Sequence, residues 1–414
     1  MQLKKVPPHI KTRRPLKRYP VNSRRYHATK LHPHHQSDRA KLLATLAGLK
    51  YGNILFLLAG AIVLSWLITS PFRNKPTHEP PIIAQLSSIT LPIESQNPRD
   101  VSSRKKGEEF IYNVKVSPHQ VPNPELQKLV DELVEIVRKK GLPTSSLSIS
   151  LIDVSNPKSH YFSGYQNRTF RFPASVAKLF WMVAFYGAVQ NGIVENESDF
   201  YSDLEQMMQV SHNDSASRIL DKITDTKSGE KLGGIELNKW IDKRLKINTF
   251  FQKSGYDGIQ LAIKNYPIYY LNQQEPIGRD LQLRELKPES YRNLVTTDQA
   301  ARLLYEIYTR QAISPTMSRK MAYLLTRDLD PKVWKNDPSN GIKGFLGESL
   351  PTNIYFASKV GYTSTSRQEV AFVRTLDDRV IYIFAIFADA PAYAKDEEIF
   401  PQLSRYVFDH FNAR

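Results

Sequence analysis

Apolar side chains recur every three or four residues between positions 123 and 140, which predicts an amphipathic helix that ends at Gly141. The same spacing returns further along the chain and predicts six more helices. They cover residues 175–191, 204–223, 235–245, 297–310, 314–326 and 397–411. Helices therefore dominate the middle of the region that begins at residue 123.

Strand-like patterns lie near both ends of this region. Residues 147–154 alternate in strand fashion, and residues 160–170 form a second predicted strand after a turn at Asn156 and Pro157. Three more strands are predicted near the C-terminus, with a tight turn at 376–379 between the last two. They cover residues 354–359, 370–375 and 380–388. This order predicts an α+β fold, in which an antiparallel β-sheet formed by both ends of the domain is flanked by helices and an α-helical subdomain is inserted.

Residues 51–72 carry no charge, and these 22 residues are enough for a helix to cross the roughly 30 Å hydrocarbon layer of a bilayer. The 50 residues before them hold 13 Lys and Arg but a single acid, Asp38. By the positive-inside rule, this predicts a single-pass protein of the cell membrane with a cytoplasmic N-terminus and a periplasmic or extracellular domain. The alternatives are a buried core helix and a cleaved secretory signal, although signals have much shorter charged segments.

These patterns divide the chain into four parts. A basic tail over 1–50 lacks apolar periodicity and is predicted to be disordered, and the transmembrane helix follows at 51–72. Residues 73–122 contain many prolines and polar residues, which predicts an extended linker, and residues 123–414 form the folded domain. The tail has three possible roles: binding anionic lipid, binding a cytoplasmic partner, or setting the topology.

The net charge of the chain does not alter these predictions, because most of it lies in one segment. The formal charge is +16, but outside the first 50 residues 44 basic residues face 40 acidic ones. The excess of positive charge is therefore a property of the tail, and we expect no nucleic-acid partner.

The sequence has no cysteine, which excludes disulfides, thiolate chemistry and cysteine-based zinc sites. Five of the ten histidines lie in the basic tail, and the others are scattered without the spacing of a helical zinc motif. Metal sites need clustered ligands of matching geometry, so we expect neither a metal nor an organic cofactor.

A candidate nucleophile lies at the start of the helix predicted from residue 175. Ser175 and Lys178 are three residues apart, so on a helix they share one face and can reach each other. A serine hydroxyl is a weak nucleophile, and a lysine can take its proton only if desolvation or another cation lowers the lysine pKa. This motif alone is common in proteins.

Two further segments add polar groups to the candidate chemistry. Ser211 and Asn213 lie in a short polar break between apolar runs, where they could serve as proton shuttle and substrate donor or simply cap a helix. Lys359 and Gly361 end a predicted strand, and such a pair suits a substrate carboxylate because glycine permits close backbone approach. Taken alone, this last pair is usually just a turn.

In this order and at these separations, the three segments resemble the S-x-x-K, S-D-N and K-T-G boxes of class A β-lactamases and penicillin-binding proteins. The similarity covers about residues 123–412. The resemblance implies that Ser175 attacks an amide or lactam carbonyl, that Lys178 accepts its proton, and that Ser211 with Lys359 delivers a proton to the leaving nitrogen.

The resemblance also assigns the groups that hold the substrate. The backbone N–H groups of Ser175 and Tyr362 would form an oxyanion hole. Asn213 would bind the substrate side chain. Lys359 would bind the substrate carboxylate and, by its charge, lower the pKa of Lys178.

The sequence departs from the family pattern in both later boxes. His212 occupies the usual place of a structural aspartate, so the loop is expected to be braced differently, and an acid/base role for His212 is the sharper alternative. Val360 replaces the usual hydroxyl residue after Lys359, which makes Thr363 beyond Gly361 the candidate replacement donor.

The residue that would release the acyl group is not identifiable from the sequence. Class A β-lactamases use a glutamate on a loop between the second and third boxes, but its E-x-x-L-N context is missing here. The acid nearest to the expected place is Asp257, while Glu275, Glu285 and Glu289 lie further along in a longer insertion, and none of these four is assigned as the general base.

The resemblance implies a membrane-anchored serine hydrolase that opens β-lactams through an acyl-enzyme on Ser175. The alternatives are a peptidoglycan D-alanyl-D-alanine carboxypeptidase, which would act on a stem peptide with the same groups, and a non-catalytic wall-binding module. The rate of acyl-enzyme hydrolysis separates the first two.

Overall fold

The computed structural model describes residues 110, 112–114, 120–286, 291–337 and 339–414. Its six-stranded sheet has the order β1-β3-β2-β6-β5-β4. The strands are β1 (Val121–Pro122), β2 (Leu147–Asp153), β3 (Tyr161–Tyr165), β4 (Ile354–Thr363), β5 (Ser366–Thr375) and β6 (Ile381–Ala388). Neighbouring strands pair antiparallel except β1 with β3. Because β2 pairs with β6, both ends of the domain form one sheet, and the predicted α+β fold is confirmed.

Eleven helices are found in the described ranges. They are α1 (Pro124–Lys139), α2 (Ala177–Gln190), α3 (Tyr201–Gln209), α4 (Asn213–Thr224), α5 (Gly234–Gln252), α6 (Gly278–Arg284), α7 (Thr297–Tyr308), α8 (Pro315–Leu325), α9 (Pro331–Trp334), α10 (Pro391–Lys395) and α11 (Ile399–Asn412). Short 3₁₀ turns add to these, and Ala174–Val176 is the one that bears on the site.

Two apolar layers cover the two faces of the sheet. On one face, the apolar sides of α1 and α11 pack against Ile149 and Leu151 of β2. On the other face, the helical subdomain surrounds α2, whose residues Ala177 to Ala188 are all buried. With both of its faces covered, β2 is buried along its whole length.

Several element bounds differ from the predicted ones. The predicted helix 204–223 is two helices, α3 and α4, because the backbone at Ser211 has a φ of 60° that no helix accommodates. The predicted strand 160–170 ends at Tyr165, next to Gln166 with a φ of 44°. β4 extends beyond the predicted residue 359 to Thr363, which carries the strand past the third motif.

Part of the predicted linker belongs to the core. Tyr112 is fully buried, and its ring contacts the rings of Phe250, Phe251 and Tyr256. The backbone N–H of Tyr112 donates to the Phe250 carbonyl, and Ser254 Oγ donates to the Tyr112 carbonyl. The folded part therefore includes residues ahead of position 123.

The basic tail and the transmembrane helix predicted at 51–72 lie outside the described residues. Among the residues that are described, no helix combines the length and the apolar character needed to span a bilayer.

Candidate active site

Ser175 and Lys178 meet at the start of α2. Ser175 lies half-buried in the 3₁₀ turn that precedes the helix, and Lys178 is fully buried in the first turn of the helix. Lys178 Nζ lies 3.1 Å from Ser175 Oγ. Burial lowers the pKa of Lys178 to about 7, so a large share of this amine is neutral near neutral pH. A neutral amine at this distance can take the serine proton.

The break between α3 and α4 supplies the other groups around Lys178. Its ammonium donates to Asn213 Oδ1 at 2.7 Å, to the Ser211 carbonyl, and to Ser211 Oγ at 3.2 Å. None of these three acceptors is a carboxylate, so no negative charge among them offsets the effect of burial on the Lys178 pKa. The left-handed backbone of Ser211 turns both its carbonyl and its hydroxyl towards Lys178.

Lys359 reaches the same hydroxyl from the sheet. Its fully buried ammonium lies 2.9 Å from Ser211 Oγ and 2.9 Å from the Val360 carbonyl. Burial, followed by the charges of Lys178 and Arg327, lowers the pKa of Lys359 well below its ordinary value. A continuous path thus runs from Ser175 Oγ through Lys178 Nζ and Ser211 Oγ to Lys359 Nζ.

Burial is the main cause of the lowered pKa at both lysines. Repulsion between the two ammonium groups adds to it at Lys359. Because such repulsion is mutual, the two amines titrate as a coupled pair.

β4 is the edge strand beside the nucleophile, and its free edge faces the site. The carbonyls of Phe356, Ser358 and Val360 accept hydrogen bonds from groups outside the sheet. Backbone polar groups alternate in direction along an antiparallel strand, so the N–H of Tyr362 points to this same free edge.

Gly361 brings the free edge against the Ser175 turn. A Cβ atom at this position would lie 2.6 Å from the Pro173 carbonyl oxygen and 3.0 Å from the Ser175 nitrogen. Only glycine permits this approach. Gly361 therefore allows the backbone of β4 to lie directly against the backbone of the turn that carries Ser175.

The sequence profile of the family described as "Beta-lactamase enzyme family" matches residues 128–411. The chain belongs to this β-lactamase family. The match includes all three motifs, the eight helices α2 to α9 between the first and the third motif, and the strands β2 to β6. Membership makes the chain a serine hydrolase that acts on amide bonds.

The solved structures that match this chain share little sequence identity with it. A β-lactamase from Sphaerobacter thermophilus DSM 20745 is 15% identical, with 69% of this chain and 98% of that chain covered and a TM-score of 0.47. PBP-A is 17% identical, with coverages of 72% and 99% and a TM-score of 0.47. A β-lactamase from Burkholderia vietnamiensis is 15% identical, with coverages of 69% and 97% and the same TM-score. No curated protein matches the chain.

The second box of this β-lactamase-family site is braced by Asp214, which the sequence analysis missed. The buried Asp214 carboxylate accepts the backbone N–H of Tyr269 at 2.6 Å and that of Tyr270 at 3.1 Å. His212, the residue just before α4, instead contacts Ser215 Oγ in the first turn of that helix at 3.0 Å. The loop is therefore braced two residues after the usual place of the structural aspartate.

Asn265 is the second residue that sequence reasoning missed. Its Nδ2 donates to the Ala174 carbonyl at 3.3 Å and lies 3.5 Å from Ser175 Oγ. Asn293 holds both backbone polar groups of Ile263, and Lys264 forms a 2.6 Å ion pair with Asp221. These contacts fix the path of the chain on the N-terminal side of Asn265.

The acids that the sequence offered for acyl-enzyme hydrolysis lie elsewhere. Asp257, Glu275 and Glu285 are exposed, and none of these three hydrogen-bonds to Ser175 or Lys178, while Glu289 lies outside the described residues. Thr363 contacts Thr365 and Ser366 in the β4–β5 turn rather than Lys359. Over the described ranges, no group of three or more His, Asp or Glu side chains could hold a metal ion.

Proposed function

We propose that this enzyme is acylated on Ser175 by β-lactams and hydrolyses the acyl-enzyme slowly. The observation that carries the proposal is the path of polar contacts from Ser175 through Lys178 and Ser211 to Lys359. This path provides a proton acceptor for the nucleophile and a proton donor for the leaving nitrogen.

Acylation would combine deprotonation of Ser175, attack on the lactam carbonyl carbon and cleavage of the C–N bond. Neutral Lys178 takes the proton of Ser175 Oγ as this oxygen bonds to the lactam carbonyl carbon. The carbonyl oxygen gains charge and is held by the backbone N–H groups of Ser175 and Tyr362. The C–N bond then breaks, and the nitrogen receives the proton that Lys178 passes on through Ser211, which leaves an ester on Ser175.

The substrate would be held by the groups around this path. Lys359 binds its carboxylate, and Asn213 binds the polar part of its acyl side chain. Gly361 and Thr363 belong to the same edge strand and border the bound substrate. None of these steps requires a metal or an organic cofactor.

Asn265 bears on the release of the acyl group from Ser175. Hydrolysis adds water across the ester, and a base must remove a proton from that water. Asn265 lies beside Ser175 Oγ, but a carboxamide does not titrate and cannot act as this base. The absence of a base at this position favours slow hydrolysis of the penicillin acyl-enzyme. A long-lived acyl-enzyme in turn supports the second candidate function, a peptidoglycan D-alanyl-D-alanine carboxypeptidase that penicillin inhibits.

The test is intact-protein mass spectrometry after exposure to penicillin, followed through time. We expect a mass increase of one penicillin molecule that persists over many minutes, together with slow nitrocefin turnover. Ser175→Ala removes the nucleophile and should show no increase, whereas Ser198→Ala, at an exposed position of a 3₁₀ turn outside all three motifs, should be labelled like the wild type. An unlabelled wild-type protein, or equal labelling of Ser175→Ala, contradicts the proposal.

We further propose that residues 51–72 anchor the enzyme in the cell membrane, with the catalytic domain on the periplasmic or extracellular side. The uncharged run and the 13 preceding basic residues support this topology. Membrane fractionation should recover the full chain in the membrane and a chain that lacks residues 1–72 in the soluble fraction. Soluble full-length protein contradicts the anchor.

A further inference from the structure

Arg327 is a buried arginine that lies just beyond the C-terminus of α8. Only 7% of the residue is exposed. Its two Nη atoms donate to four backbone carbonyls and to no carboxylate within the described part of the chain. The acceptors are the carbonyls of Met208, Gln209, Asn340 and Ser358.

These carbonyls belong to the two segments that carry the proton path. Met208 and Gln209 end α3, directly ahead of Ser211, and Ser358 precedes Lys359 in β4. The backbone N–H of Arg327 also donates to β4, at the Phe356 carbonyl 2.9 Å away. One guanidinium group thus links the helical segment before Ser211 to the strand that presents Lys359.

The contact between Ser211 and Lys359 needs such a link. Ser211 has a left-handed backbone with a φ of 60°, and α4 begins after it without a side-chain cap, so local structure does little to hold it. The 2.9 Å contact joins the helical subdomain to the edge strand. Any relative shift of these two segments would separate the two atoms.

We propose that Arg327 is a positioning residue of the active site: its guanidinium clamps the end of α3 to β4 and so maintains the contact between Ser211 and Lys359. The inference rests on the proposed function. It adds a residue that touches neither the substrate nor the reacting atoms.

The charge of Arg327 has a second effect at the same place. Lys359 is faced by Lys178 from α2, by Arg327, and by the buried Glu369 of β5. Lys178 and Arg327 lower the pKa of Lys359, and Glu369 raises it. Loss of the charge at position 327 should therefore raise the pKa of Lys359, while a lysine at 327 keeps the charge and loses the forked donor.

The experiment compares Arg327→Lys and Arg327→Met with Arg171→Lys as the matched control. Arg171 is equally buried, with 8% exposed, and its guanidinium also donates to backbone carbonyls, those of Ser145 and Leu147. It contacts neither the end of α3 nor β4. The readouts are the thermal midpoint, the pH profile of the acylation rate with fluorescent penicillin, and the NMR titration of the Lys359 side chain labelled with ¹³C.

Both lysine variants should lose stability to a similar degree. Arg327→Lys alone should acylate at least about tenfold more slowly at every pH, since small misplacements of catalytic groups have large effects on rate. The acid limb of its pH profile should stay in place, because the lysine keeps the positive charge at position 327. Arg327→Met should also move the acid limb and the Lys359 titration to higher pH, because the doubly protonated lysine pair becomes more favourable.

Equal acylation rates for Arg327→Lys and Arg171→Lys, at equal folded fraction, would show that the clamp is only structural and would overturn the inference. An unchanged Lys359 titration in Arg327→Met would show that the charge of Arg327 does not lower the pKa of Lys359. A wild-type protein that penicillin does not label refutes the proposed function instead. In that case the Lys359 titration still decides whether Arg327 acts on this lysine, because it requires no substrate.

Discussion

At the scale of single residues, two lysines share one serine hydroxyl. Lys178 and Lys359 lie 3.2 and 2.9 Å from Ser211 Oγ, and both are fully buried. Two ammonium groups this close repel each other, and burial disfavours both charges, so the pair binds its second proton weakly. The pair therefore tends to keep one amine neutral, which is the form that the proposed transfer of the Ser175 proton requires.

Asn265 gives the sharpest prediction at this scale. Asn265→Asp would place a carboxylate beside Ser175 Oγ, where it can take a proton from the attacking water. We expect hydrolysis of the acyl-enzyme to accelerate about 10²-fold, the lower end of what general-base catalysis contributes. The measurement is the decay of the penicillin mass label after free penicillin is removed.

Asn265→Ala is the control for this change, because it removes the same amide without adding a base. Its label should persist as long as that of the wild type. Equal decay in the aspartate and alanine variants would mean that position 265 does not reach the hydrolytic water.

At the scale of elements, periodicity predicted most of the helices and strands that surround the site. Helix spacing over 297–310 and 314–326 corresponds to α7 and α8, and strand spacing over 380–388 corresponds to β6. These patterns are readable because each element buries one face or is buried throughout. The order of strands and helices then sufficed to predict the α+β sheet.

The contacts of Asp214 and Asn265 could not be predicted in this way. Asn265 lies in a loop without periodicity, and its approach to Ser175 depends on distant residues such as Asn293 and Lys264. Asp214 binds two backbone N–H groups more than 50 residues away. A single sequence does not encode such pairings in any local pattern. The catalytic roles assigned from the family resemblance stay predictions.

Gly361 tests the role of β4 as an element. In Gly361→Ala the new Cβ would lie 2.6 Å from the Pro173 carbonyl oxygen, which is backbone and cannot rotate away. β4 must then move from the Ser175 turn, and the oxyanion hole widens. We expect acylation to slow about 10²-fold, the effect of a displacement near 1 Å. Stopped-flow labelling with fluorescent penicillin measures it.

Gly233→Ala is the matched control, since a Cβ there has no neighbour within 4 Å and its backbone is not left-handed. It should acylate like the wild type. If Gly361→Ala does so as well, the oxyanion hole does not depend on the close approach of β4.

At the scale of the whole molecule, the chain ahead of the first predicted helix is part of the folded core. Tyr112 is buried among Phe250, Phe251 and Tyr256, and Asn113 Nδ2 donates to the carbonyls of Gln311 and Ile313. The segment that leads from the proposed membrane anchor thus ends inside the catalytic domain.

Tyr112→Ala should therefore destabilise the domain strongly. Truncation of a large buried aromatic side chain costs about 3–5 kcal/mol, because apolar contacts are lost and a cavity remains. Urea unfolding of the domain, followed by tryptophan fluorescence, measures this loss. Tyr112→Phe keeps the ring and its three aromatic neighbours, so it should retain most of the stability. If Tyr112→Ala unfolds at the same urea concentration as Tyr112→Phe, then the segment before residue 120 contributes nothing to the fold, and the domain begins where the sequence pattern alone placed it.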